Sequence, residues 1–149
     1  MYNLFNRYDT EGILLRIGQL QADAPRQWGK MTVNQMLAHC TLSLETAMGR
    51  NFPKRIFIGR ILGPFLKAGM VSARPMPKNA PTDKTYLISG QPDFEQEKTK
   101  VQELIRSFYE AGPAACTRHP QAFYGKMSAE EHAIMQWKHF DHHLRQFGA

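Results

Sequence analysis

The chain has 149 residues, 42% hydrophobic and 21% charged. That length and balance suit one globular domain over residues 1–149 and exclude disordered, collagen-like and low-complexity classes. The longest weakly charged apolar run, Ile56 to Leu66, contains Arg60, two glycines and Pro64, and falls short of the roughly 20 residues a membrane span needs. Met1-Tyr2-Asn3-Leu4-Phe5 lacks the basic start and apolar stretch of a secretory signal, so the expectation is a cytoplasmic protein. Two cysteines, Cys40 and Cys116, make no disulfide framework.

Charge is unevenly spread. The net +6 comprises 19 bases against 13 acids, and seven of the bases (Arg50, Lys54, Arg55, Arg60, Lys67, Arg74, Lys78) fall between Arg50 and Thr82, where no acid occurs. The remainder carries 12 − 13 = −1, so the excess belongs to one segment. A basic stretch can face solvent, nucleic acid, a membrane surface or a small anion. No zinc-finger, RRM or KH pattern accompanies it, which argues against nucleic acid.

Helical spacing recurs along the chain while alternating strand patterns are short, so the expected class is all-α with four long helices. The first is predicted from about Thr10 to Gln21, capped by Asp9 or Thr10, with Ile13, Leu14, Ile17 and Leu20 on one face. The second opens at the capping box Thr32-Val33-Asn34-Gln35, carries Met36, Leu37, Cys40, Leu44 and Ala47 as its apolar stripe, and stops at Gly49. Ile56 to Ala68 is expected to be a crossover with one short helix, weakened by Gly59, Gly63 and Pro64. Met70 to Gly90, with Pro75, Pro77 and Pro81, is expected to be an extended loop, and Tyr86-Leu87-Ile88 is its one strand-like piece.

The third long helix is predicted from Pro92 or Asp93 to Ala111, acid-rich at its start and ended by Gly112-Pro113. The last begins at the capping box Ser128-Ala129-Glu130-Glu131 and runs to about Phe147. Gly29-Lys30-Met31-Thr32-x-x-Gln35 is echoed by Gly125-Lys126-Met127-Ser128-x-x-Glu131. Internal pseudo-symmetry and coincidence explain the echo equally well; its use is to fix two helix starts.

Three of six histidines lie in His139-Phe140-Asp141-His142-His143. At 100° per residue His139 and His143 project within about 40° of each other, His132 shares their stripe, and His142 points about 80° from His139. Imidazoles at i and i+4 can grip one divalent ion from a single helix, with a third ligand supplied from elsewhere. His39, mid-helix and the only histidine of the first half, is the candidate third ligand. Three neutral imidazoles leave coordination positions for water or substrate, the catalytic arrangement, although a His-rich terminal helix can also simply be solvated.

Trp28 through Cys40, together with His139-Phe140-Asp141-His142-His143-Leu144-Arg145-Gln146, resembles the DinB-like (YfiT-like) four-helix-bundle superfamily, and the stretch from Phe123 to Gly148 resembles one of its branches of unknown function. The resemblance implies an up-down-down-up bundle, often dimeric; this chain's own pattern adds a long crossover between its second and third helices, whose basic charge departs from the superfamily. It also implies a divalent ion, zinc or nickel, on His39, His139 and His143. Relatives in that superfamily include thiol-dependent S-transferases, maleylpyruvate-type isomerases and hydrolases, and the resemblance does not imply work on DNA.

Other residues have plainer readings. Cys40 is expected to be a small buried hydrophobe, Cys116-Thr117-Arg118-His119 a loop, and Glu130 and Glu131 helix-start charges. Asp141 is either solvated or a partner that orients an imidazole. No Ser-His-Asp order, P-loop or dinucleotide fingerprint occurs. The expected function is therefore a metal-dependent small-molecule transferase or hydrolase. Its expected substrate is anionic or a thiol, with no nucleic acid, no membrane, and a homodimer as an option. The rival is a non-enzymatic binding or dimerisation bundle with empty histidines.

Overall fold

Helix starts in this chain are set by side chains that accept from otherwise orphaned backbone N–H groups. The structure, a computed structural model, describes residues 1–55, 57–80 and 82–149. Helix α1 is Arg7–Gln19, α2 Val33–Ala47, α3 Phe57–Met70, α4 Phe94–Ala111 and α5 Ala129–Gln146. Among the described residues there are five α-helices, two short 3-10 turns (Lys84–Tyr86 and Gly112–Ala115) and no strand, only an isolated bridge between Gln121 and Gly125. Ile56 and Pro81, which the sequence places in the crossover helix and the loop after it, lie outside the described residues.

The echoed motif is repeated in the backbone. Thr32 and Ser128 both cap with extended geometry (ψ 166° and 165°), and each forms both halves of its capping box, with Gln35 and Glu131 respectively. Gly29 and Gly125, three residues before each cap, share φ +78°, a left-handed turn that glycine enters without the steric cost of a Cβ. Asp93 caps α4 through Gln96 N at 2.9 Å.

Three local expectations need correction. Helix α1 begins at Arg7 rather than Thr10, because Asn6 caps it by accepting from Asp9 N. The strand-like piece at Tyr86-Leu87-Ile88 is not a strand: the Asp83 carboxylate accepts from Thr85 N and Oγ1 and winds Lys84–Tyr86 into a 3-10 turn. The crossover helix is not short, since α3 runs 14 residues through Pro64. Its two glycines are the contact: Gly59 and Gly63 press against the Phe123 backbone so closely that a Cβ at either would strike it. Close packing there outweighs the helix propensity that the glycines lack.

The buried core draws on four helices. Ile13 and Ile17 of α1, Met36, Leu37 and Leu44 of α2, Val101, Ile105 and Phe108 of α4, and Phe140 and Leu144 of α5 form one cluster, joined by Leu4 from the N-terminal segment. Helix α2 packs on α4 and α5, and α1 packs on the same two. Helix α3 contributes nothing large to that core. It is tied down at its C-terminal end, where the buried Lys138 ammonium donates to the carbonyls of Met70 (2.6 Å) and Ser72 (2.8 Å), a favourable place for a cation. Lys67 pairs with Glu131 at 2.8 Å.

Candidate metal centre

Side chains from α2 and α5 meet where the two helices pack. His39 projects from α2, and His139 and His143 project from α5 one turn apart. One ring nitrogen from each lies within 4.8 Å of the others, and among the described residues this trio is the group of His, Cys, Asp or Glu side chains able to share an ion. The His39 and His143 Nε2 atoms stand 3.0 and 3.2 Å from His139 Nε2. The helical-wheel expectation for His139 and His143 thus holds as geometry.

The outer ring nitrogens fix which tautomers are present. His39 Nδ1–H donates to the Tyr86 carbonyl at 2.9 Å, an acceptor that leaves the imidazole no other role. His143 Nδ1–H donates to Gln146 Oε1 at 2.8 Å, and the orientation of that amide is set because its Nε2 donates to the Trp28 carbonyl at 2.8 Å. With Nδ1 protonated on both rings, both Nε2 atoms present lone pairs toward His139 Nε2. His139 has one proton for two acceptors, and among the described residues its buried Nδ1 has no partner. Outer-nitrogen contacts of this kind are the ones that orient imidazole ligands around metals.

Burial holds all three rings neutral. Desolvation lowers the pKa of His39, lowers His143 to about 3, and, with the neighbouring His143 and His39, lowers His139 well below its ordinary value. Neutral imidazole is the form that ligates.

The turn carrying His143 is pinned. Gln27 N donates to the Gln146 carbonyl at 2.7 Å, and Arg16 reaches both Asp141 (2.8 Å) and the Ala149 carbonyl (2.9 Å). Asp141 therefore serves Arg16 and Arg145 rather than an imidazole; the orienting partners are Tyr86 and Gln146. Gly29 is part of the same device, because a Cβ there would strike the Gln146 amide. Tyr86, 47 residues from His39, left no trace in the local sequence pattern. Gln146 did, as the residue three on from His143 in a helix.

The remaining candidates separate cleanly. His142 adds nothing to the trio and packs edge-on against Trp28, ring centroids 5.5 Å apart. His132, two turns before His139, is buried, and among the described residues neither of its ring nitrogens is bonded. Cys40 is fully buried and its thiol pKa is raised by desolvation. Cys116 is partly buried in a loop, its thiol raised to about 11.

His39 and His139 also border a cleft of about 880 Å³, walled by α3, by residues of Arg74 to Ala80 and Thr82 to Tyr86, and by Thr117 to Tyr124. Its walls are mainly apolar, with Phe52, Met135 and Phe123 among them. The Tyr86 phenol pKa is raised by burial, so it offers a proton donor at neutral pH. Among the described residues no helix is long and apolar enough to cross a membrane.

Residues 6–149 match the model of the family described as "Protein of unknown function (DUF1569)", and the chain belongs to that family. No curated protein and no solved structure matches it.

Proposed function

We propose that this DUF1569 chain is a metal-dependent small-molecule enzyme, a transferase or hydrolase, in which His39, His139 and His143 hold one divalent ion, zinc or nickel, at the inner end of the apolar cleft. The observation that carries this reading is the hydrogen-bond pattern: partners on the Nδ1 atoms of His39 and His143 aim two buried lone pairs at a third imidazole nitrogen 3.0–3.2 Å away. A neutral His139 has one proton for these two acceptors, so at least one lone pair is unpaired in a desolvated pocket unless a cation is shared among the three rings. In this proposal α1, α2, α4 and α5 are the four helices of a DinB-like bundle, and α3 belongs to its crossover.

An ion bound by three imidazoles supplies Lewis acidity, bringing a water or thiol nucleophile toward neutral pKa and polarising a substrate oxygen. The chain's own groups do the rest. Tyr86 and Gln146 keep two ligand rings in the ligating tautomer, and the cleft wall excludes water from an apolar substrate. The Tyr86 phenol, bordering the same cleft, is placed to donate to a polar substrate group.

Elemental analysis of protein purified without a polyhistidine tag tests the metal. About one zinc or nickel per chain is the expected result. Metal-free protein that takes up neither ion would leave the non-enzymatic module as the better reading.

A further inference from the structure

Helix α3 breaks the ordinary inside-outside rule. Phe57, Ile58, Ile61, Leu62, Phe65 and Leu66 are all exposed, Phe57 and Phe65 at 76% and 79%. At 100° per residue the six fall within an arc of about 180°. The opposite side carries Gly59 and Gly63, which seat the helix on Phe123. The helix is thus docked by its smallest residues and presents its apolar half outward, a contiguous patch that soluble surfaces rarely leave bare.

The charge around the patch selects its occupant. Lys54, Arg60 and Arg74 are exposed and make no ion pair among the described residues, and no acid lies between Arg50 and Thr82. A second copy of the chain laid face to face would set these bases against their equivalents with no carboxylate from that segment to pair them. An anionic lipid surface takes both features at once, because an apolar helix face enters the acyl boundary while flanking bases meet headgroup charge.

We propose that α3 is a docking face for anionic membrane surfaces. Contact is interfacial rather than spanning, and it replaces the expectation, drawn from the sequence, that no membrane is a partner. Ile58 and Leu66 belong both to the exposed face and to the cleft wall, so docking turns the mouth of the cleft toward the bilayer.

Co-sedimentation of the full chain with vesicles tests the proposal. Vesicles of equal parts phosphatidylglycerol and phosphatidylcholine should carry the chain down at low ionic strength, pure phosphatidylcholine much less, and added salt should weaken the binding. The double variant Ile61→Glu/Phe65→Glu should lower partitioning at least about 100-fold, with unchanged circular dichroism. Lys54→Gln/Arg60→Gln, which leaves the apolar face intact, should reduce binding to the anionic vesicles and spare the weak binding to neutral ones. The proposal is overturned if wild-type chain ignores anionic vesicles at low salt, or if both double variants bind like wild type. It is equally overturned if sedimentation equilibrium shows a dimer that Ile61→Glu/Phe65→Glu dissolves, since the face then belongs to a second copy.

Discussion

The histidine end of the molecule and the α3 crossover invert the usual partition of polar and apolar side chains in opposite senses. At the histidine end, imidazoles and a glutamine sit inside, with His39, His143 and Gln146 held by Tyr86, Gln146 and Trp28 respectively. On α3, phenylalanines and aliphatics are exposed. Burying polar groups and exposing apolar ones both cost free energy, so each region points to something it meets: a cation in one, an apolar surface in the other. The difference lies in preorganisation. His39 is locked by the distant Tyr86, and His143 by Gln146, which is itself held by the distant Trp28, whereas α3 is anchored by its glycine edge, the Lys138 cap and the contacts of Lys67 with Glu131 and Lys126.

The sharpest way to break the comparison is to remove a ligand. His143→Ala should weaken zinc or nickel binding by more than the ~10–100-fold that loss of a ligand's partner costs, while His142→Ala should stay within a few-fold. Calorimetry on the two variants gives the contrast. Equal losses would mean that the α5 register does not decide which imidazole ligates.

Next in size is the partner itself. Gln146→Leu removes the acceptor that holds His143 in its tautomer and should cost metal affinity about 10–100-fold. Gly29→Ala reaches the same amide from the other side and adds the strain of a non-glycine residue at φ +78°, roughly 1–2 kcal/mol of stability. Affinity unchanged in Gln146→Leu, measured by the same titration, would show that the ring needs no such hold.

A pH titration separates the regions without mutation. His39, His139 and His143 have pKa values in the folded metal-free chain below the ordinary 6.5, with His143 at about 3. Between those limits the unfolded chain binds more protons, so stability rises with pH there. Their neutral-state stability is therefore complete above about pH 6.5 and drains away as pH falls toward 3. Urea midpoints of metal-free protein should fall through this window, and the fall should shrink in His143→Ala. A flat profile would mean that the imidazoles are more solvated than their geometry implies.

The smallest effect is expected on α3. Ile61→Ser or Phe65→Ser removes side chains that touch little, so folding stability should move within about 0.5 kcal/mol. Leu44→Ala in the core should instead cost about 2–5 kcal/mol. Denaturant melts of the three would show whether the patch is truly uncovered in solution: a large loss for Phe65→Ser means that another surface buries it.

How much of this the sequence disclosed follows from range. Capping boxes at Thr32 and Ser128, the acid-rich start after Asp93 and the i,i+4 histidines are local patterns, and helices α2, α5 and α4 start where the first three place them. The contact of Tyr86 with His39, the bridge from His143 through Gln146 to Trp28, and the fit of Gly29 beneath that amide all join distant segments. No periodicity encodes them. Helix α3 is longer than its propensity suggests, because Gly59, Gly63 and Pro64 weigh against a helix whereas the space beside Phe123 admits only glycine at 59 and 63. Asp141 lies beside the histidines in sequence, yet Arg16, 125 residues away, takes its carboxylate.

Calorimetric titration of tag-free, metal-stripped protein with zinc and with nickel near neutral pH tests the three-histidine site most directly. The expected result is about one ion per chain at micromolar or tighter affinity, abolished in His143→Ala and retained in His142→Ala. Absence of saturable binding of either ion to folded wild-type protein would contradict it.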